Sequence, residues 1–369
     1  HKLKVMATAK SKKMNSVSSR DLKVKNFDPN SPGLKDANIF GLPFTVEESS
    51  IVLVPVPWEA TVSYGGGTSD GPEAILEASA QVDLYHSEFP ELWKQGIAMT
   101  DISKDLHKRS KNAKKSAAKI IDAFAEGKSP EKDAKLKALQ NEVNAASSAM
   151  IADVEAEVTK WIAKGKLVGM VGGDHSTPLG FFNALSKKYK NFGILQIDAH
   201  MDLRKAYEGF TYSHASIMYN ALQLKQVSKL VQLGIRDYCA EEQAFAVANK
   251  KRVNVFTYAD VRKSQYEGAS WKAMCKKVID ALPEHVHISF DIDGLDPKLC
   301  PHTGTPVPGG FEFHEITYLL SELAKSKNKI ISFDLNEVGP GKDDWDGNVG
   351  ARMLFHLCGV LAKSNGLIK

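Results

Sequence analysis

The sequence predicts an α/β protein built on a mostly parallel sheet covered by helices on both faces. Two observations carry this. Short, branched, apolar runs recur through the last two thirds of the chain, and helical patterns separate most of them. Strand and helix in alternation give a parallel sheet whose strands are buried on both sides. A third observation concerns position: residues able to do chemistry lie within a few places of the strand ends, where open α/β sheets form their sites.

The elements follow in order. Residues 1–47 are polar and punctuated by Asn30-Ser31-Pro32-Gly33, and read as an N-terminal extension ahead of one domain over 48–369. Ile51–Val56 is a buried parallel strand. Ser63-Tyr64-Gly65-Gly66-Gly67-Thr68 is a loop, and Gly71-Pro72 opens a helix reaching about Val82, with proline in the first turn. Residues 104–164 are helical, broken into two helices at Lys128-Ser129-Pro130 and ended by Gly165. Leu136, Leu139, Val143, Met150, Val154, Val158 and Trp161 form an amphipathic stripe suited to packing. Strands are then expected at Leu167–Val171, Phe192–Ile197, Leu230–Leu233, Val253–Phe256, Val286–Phe290 and Ile330–Phe333.

Composition excludes several classes. At 43% apolar and 25% charged residues, the chain has the make-up of an ordinary globular protein. Its net charge of +4 is small, and much of the excess sits in Lys2, Lys4, Lys10, Lys12, Lys13, Arg20, Lys23 and Lys25. A solvated tail explains that cluster, so no nucleic-acid partner is expected. No stretch of ~18 apolar residues is present to span a membrane, and no signal peptide stands out. Cys239, Cys275, Cys300 and Cys358 have neither zinc-site nor disulfide-framework spacing. The expectation is a soluble cytoplasmic protein with reduced thiols.

Three strings carry the chemistry: Gly172-Gly173-Asp174-His175-Ser176, Asp198-Ala199-His200-Met201-Asp202 and Ser289-Phe290-Asp291-Ile292-Asp293-Gly294. Each closes an apolar run. At a strand end alternate residues point the same way, so each string can present two or three ligands to one pocket. Hard carboxylates with a minority of imidazoles favour manganese, with nickel as the alternative. The set is too large for one ion that must also hold water, and suits two divalent ions. A single Asp pair after a strand is ordinarily a loop cap; three such strings together point to metal. Aspartates and two divalent ions roughly cancel in charge, and a hydroxide plus Glu337 leave the pocket attractive to a cation such as guanidinium.

These strings closely resemble those of the ureohydrolases: arginase, agmatinase, guanidinobutyrase, formiminoglutamase and guanidine hydrolase. Gly304-Thr305-Pro306-Val307-Pro308-Gly309-Gly310 and Asp334-Leu335-Asn336-Glu337-Val338 extend the resemblance over roughly residues 50–360. It implies a three-layer α/β/α, arginase-like fold with an eight-stranded sheet, in homotrimers or homohexamers. It implies one metal on His175, Asp198, Asp202 and Asp291, the other on Asp198, His200, Asp291 and Asp293, and a bracing role for Asp174. It further implies Glu337 as the guanidinium partner, Asp202 as a proton relay and His214 as a proton shuttle, whereas a loop histidine with no role is the alternative for His214. The implied reaction is attack of hydroxide on the guanidinium carbon, releasing urea and an amine.

Departures from the resemblance bear on substrate. Arg204 stands where arginases have asparagine, and Cys239 where they have a second aspartate; both changes remove groups suited to an α-amino acid. The expected substrate is a small cationic guanidino compound, agmatine or free guanidine. Arg204, with Tyr207 beside it, could instead bind the carboxylate of guanidinobutyrate or formiminoglutamate, or pair with an acid such as Glu208. Trp58, Tyr64, Tyr207, Phe210, Tyr212 and Trp345 could fill the pocket around guanidine. A metal-binding regulator without catalysis is the alternative from another class, and predicts damage to the ligands, Glu337 or His214; none is seen.

Overall fold

Among the described residues, eight strands line up side by side in a single sheet, and every neighbouring pair runs parallel. They are β1 (Ile51–Val56), β2 (Ile97–Met99), β3 (Leu167–Gly172), β4 (Phe192–Ile197), β5 (Val227–Ile235), β6 (Val253–Thr257), β7 (His285–Asp291) and β8 (Lys329–Asn336). The computed structural model describes residues 18–33 and 37–369. The helices are α1 (Ser19–Asn26), α2 (Gly71–Ser79), α3 (Lys104–Ala125), α4 (Ala134–Ala163), α5 (Leu179–Lys188), α6 (Ile217–Ala221), α7 (Ala240–Ala248), α8 (Tyr258–Tyr266), α9 (Trp271–Asp280), α10 (Phe313–Lys325) and α11 (Trp345–Ser364). Among the described residues, no helix is long and apolar enough to cross a membrane.

The strand order is β2-β1-β3-β8-β7-β4-β5-β6. The chain leaves β3 and returns as β4 three places away, and β8 and β7 later fill the gap. The four strands that carry the strings and Glu337 are therefore consecutive neighbours. On one face α2, α9, α10 and α11 build the larger apolar core; on the other α4, α5 and α6 build a second. A buried Val, Leu, Ile or Phe contributes about 1.5–3 kcal/mol. Central strands buried on both faces are thus the best-anchored places from which to project a site.

Two expectations are corrected and one unread strand is added. Residues up to 47 are not all an extension: Ile39, Phe40, Leu42 and Phe44 are buried in the larger core. Four large apolar side chains within six residues stabilise the fold only if buried, and the polar flanks masked them. Lys2 through Lys13 lie outside the described residues, but Arg20 donates to Lys94 O at 2.7 Å and Lys23 pairs with Glu48 at 2.7 Å. That part of the basic cluster is docked rather than solvated. The unread strand, β2, has only three residues, too few for a periodic signal, and adds an edge to β1.

The second correction is that the α4 stripe is displaced at its start. Val143, Met150, Val154, Val158 and Trp161 are buried, but Leu136 and Leu139 are only half-buried and Gln140 is buried in their stead. The break at Lys128-Ser129-Pro130 holds, and Asp133 caps α4 by accepting from Lys135 N and Leu136 N.

Candidate active site

The floor of the site is delivered by four strand ends. After β3 the chain passes Gly173, where a Cβ would lie 2.0 Å from Trp58 O, so only glycine fits the approach. Asp174 then accepts from Ser176 N at 2.9 Å and Ala60 N at 3.2 Å. It faces the turn rather than the ligand cluster. His175 follows, its Nδ1 2.9 Å from Asp198, 3.2 Å from Asp202 and 3.3 Å from Asp291. His200 Nδ1 lies 3.0 Å from Asp293 and 3.6 Å from Asp198.

The delivery differs from strand alternation. β4 stops at Ile197 and β7 at Asp291, so the second member of each pair comes from a turn. His200 N donates to Asp198 Oδ1 at 2.6 Å, Asp293 N to Asp291 Oδ1 at 2.9 Å, and Ala199 N to Asp293 Oδ1 at 2.9 Å. A strand cannot curl its ladder around an ion; a turn closed on its own carboxylate can. Asp202 and Glu337 both take positive φ, 54° and 64°. That conformation is uncommon outside glycine and concentrates at functional sites.

Electrostatics mark the place. Asp202 is pushed up to about 7 by burial and then by the charge of Asp198. Burial, then Asp293 and Asp198, raises Asp291; burial, then Asp174, raises Glu337. Burial also acts on Asp198, but hydrogen bonds from His175 and His200 outweigh it and hold Asp198 low. Crowded, buried carboxylates with two imidazoles are short of positive charge. Donor atoms of His175, Asp198 and Asp202 lie within 4.8 Å of one another, as do those of Asp198, His200 and Asp293. The donor set therefore fits two divalent cations sharing Asp198, and the shortage of positive charge is what they would supply.

Glu337 sits beside this floor. Its Oε1 accepts from His175 N at 2.8 Å and its own N donates to Gly173 O at 2.7 Å, tying β8 to the β3 turn. It lines a cavity of about 460 Å³ together with His175, His200, Asp202 and Asp291. His214, in the cavity wall, is held near Thr61 Oγ1 at 3.4 Å, and burial, then His200 and His175, pushes its pKa down to about 4. Arg204 lies over the Tyr207 ring at 4.7 Å and 3.8 Å from Glu242, not Glu208. Of the six rim aromatics only Tyr64 and Tyr207 line the cavity. Trp58 and Phe210 are buried packing and Trp345 lies exposed on α11.

The sequence reading missed a layer beneath the floor. His175 Nε2 is 2.9 Å from Ser289 Oγ, which donates to Asp334 Oδ1 at 2.9 Å. With that proton committed, His175 Nε2 donates and Nδ1 faces the cluster, the orientation an imidazole would need to hold a metal ion. His287 and Asn336 also hold Asp334. The signal was present: His287, Ser289 and Asp291 alternate along a strand buried on both faces, where polar residues need partners. Glu242 also lines the cavity unforeseen, beside Asp237, Tyr238 and Cys239.

With this geometry in view, similarity to known proteins decides the family. Residues 49–359 match the arginase family model. The chain belongs to the arginase family. Membership makes it a hydrolase of the amidinohydrolase kind, as the sequence predicts, with an arginase-like three-layer fold. It is 30% identical over 314 residues to the N(1)-aminopropylagmatine ureohydrolase of Thermus thermophilus, covering 85% of this chain and 91% of that one. It is 28% identical over 301 residues to the agmatinase of Bacillus anthracis, covering 81% and 87%. Among solved structures, the agmatine ureohydrolase of Thermoplasma volcanium superposes with a TM-score of 0.67 at 23% identity, covering 94% and 99%. At that identity the likeness speaks for the arginase-family fold alone.

Proposed function

We propose that this protein hydrolyses a small guanidino compound, with agmatine ahead of free guanidine, to urea and an amine or ammonia. The observation that carries the reading is Glu337, a buried carboxylate beside two His/Asp clusters in one cavity. Ligation is assigned to His175, Asp198, Asp202 and Asp291 for one ion and Asp198, His200, Asp291 and Asp293 for the other. Manganese suits these hard oxygens, with nickel as the alternative. Ions held by these residues would lower the pKa of water and make hydroxide available near neutral pH.

The chain's own groups do the rest. Glu337 pairs with the guanidinium through charge-assisted hydrogen bonds and fixes its carbon over the floor. Asp202 passes a proton toward the leaving nitrogen. His214, in the cavity wall, takes a proton and hands it to solvent. The names of the relatives support an agmatine-like substrate. The cavity supports a substrate with a tail, since the aromatics expected to close it around guanidine are mostly elsewhere. Homo-oligomers, trimeric or hexameric, are proposed on the resemblance and are read by light scattering.

A second reading has its own observation: Arg204 projects into the cavity wall, where a guanidinium would meet a carboxylate on guanidinobutyrate or formiminoglutamate. One assay separates the readings. The chain, loaded with manganese or nickel, is given agmatine, aminopropylagmatine, guanidine, guanidinobutyrate, arginine and formiminoglutamate. Release of urea from agmatine or guanidine supports the first reading. Turnover confined to the acids supports the second. Activity on none favours a metal-binding protein without catalysis.

A further inference from the structure

The helical segment 104–163 has no part in the chemistry described so far, yet its contacts converge on the two loops that hold the cavity walls. On one side, Ser110 of α3 accepts from Glu59 N at 2.8 Å and donates to Glu59 O at 2.9 Å. Lys114 pairs with the Glu59 carboxylate. That buried carboxylate accepts from Gly67 N and Thr68 N, both at 2.8 Å, closing the loop that carries Tyr64.

On the other side, Gln140 of α4 donates through Nε2 to Gly209 O at 2.8 Å, and Asn144 Oδ1 accepts from Thr211 N at 3.1 Å. Between those contacts Phe210 is buried in a small cluster with Ala117, Ile120 and Val143, separate from both sheet cores. Gly209 has φ +79° and no room for a Cβ beside Gln140. This second loop carries Tyr207 and His214, and Thr61 Oγ1 reaches His214 Nδ1 across the gap between the loops.

We infer that the α3–α4 hairpin is a clamp that sets the spacing of the two cavity loops and thereby positions His214 and Tyr207 for substrate. Its residues touch neither the ligand cluster nor the cavity, so Gln140, Asn144 and Lys114 are positioning residues. Packing alone would explain an apolar seam. It does not explain why Gln140 and Asn144 spend their side-chain hydrogen bonds on backbone groups of one loop, four residues apart in helical register.

Two variants test this in the full-length, metal-loaded chain. Gln140→Leu fills the same space without the donor, and Asn144→Ala removes a half-buried acceptor. Loss of one such hydrogen bond is expected to raise amide exchange across residues 206–214 about fivefold. It is also expected to raise KM about fivefold on the compound turned over best, with metal content unchanged. Gln140→Asn, which keeps the amide but shortens its reach, is expected to restore neither. Lys114→Met is expected to act on residues 63–68 instead, and Lys114→Arg to restore them. Unchanged exchange at 206–214 in both α4 variants overturns the inference, as does raised exchange with unaltered KM. A general fall in Tm with exchange raised evenly along the chain also overturns it. The kinetic arm rests on the proposed hydrolase activity; the exchange arm does not, so an inactive wild type leaves the clamp testable.

Discussion

The floor and the mouth of the cavity are made differently. The floor hangs on four neighbouring strands; its candidate ligands are buried except for the partly exposed His200, and His175 is braced from below by Ser289 and Asp334. The mouth is loops: Tyr64 is 85% exposed, Arg204 rests on Tyr207, and the α3–α4 hairpin grips them from outside. Chemistry needs ligands fixed to within fractions of an ångström, which a sheet supplies. Specificity tolerates replacement, which loops supply. Substitutions in the floor should therefore abolish reaction with every substrate, and those in the mouth should redistribute activity among substrates.

Asp198→Ala is the severest test. Asp198 touches both histidine clusters, so metal content measured by mass spectrometry should fall from two toward one or zero, with urea release lost. Retention of both ions would sink its bridging role. Glu337→Gln keeps the shape and the contact with His175 N but removes the charge. It should lower kcat/KM about 10²–10³-fold with both ions in place. Loss of metal there would mean Glu337 belongs to the floor's structure rather than to substrate.

His214→Asn stands between floor and mouth. A general acid–base group contributes about 10²–10⁴-fold, and a loss in that range, with metal content intact, fits a proton carrier. An effect below twofold would return His214 to an ordinary loop residue. Chelation should separate the regions by stability. Ions at 100-fold over Kd add about 2.7 kcal/mol, so stripping them should lower Tm by about 5 °C. Exchange should rise first in the strand-end turns at 198–202 and 291–294. A rise confined to the mouth loops would contradict the division.

The same division governs what was legible in the sequence. His175, Asp198, His200, Asp202, Asp291 and Asp293 stand out because the candidate ligands follow apolar strands at short spacing, a pattern local to each string. Ser289 and Asp334 were hidden in plain view, since pairing across strands is invisible until the order β3-β8-β7-β4 is known. Ile39 to Phe44 were lost to their polar surroundings. The mouth was least legible: whether Trp58 or Tyr64 faces the cavity depends on loop backbone, which carries no period. For Arg204, sequence proximity offers Glu208 as one alternative partner, whereas the fold brings Glu242 of α7 instead.

Arg204→Ala bears on the smallest effect and the finest distinction. Glu242 is oriented by Leu203 N at 3.1 Å and Cys239 N at 3.0 Å, so its charge is committed close to Arg204. At 3.8 Å the pair is loose, and Arg204 is about a third exposed. An exposed pair of this kind contributes about 0–1 kcal/mol, so stability should hardly change. The consequence lies in selectivity. If Arg204 serves a substrate carboxylate, removing it should cost about tenfold in KM for guanidinobutyrate and leave guanidine untouched. If the substrate is dicationic, as agmatine is, the same change removes a like charge and frees Glu242, and KM for agmatine should fall. The ratio of the two KM changes reads the charge that the mouth was built to meet. Identical kinetics with every compound would remove Arg204 from recognition, leaving selectivity to Tyr207 and the spacing of the loops.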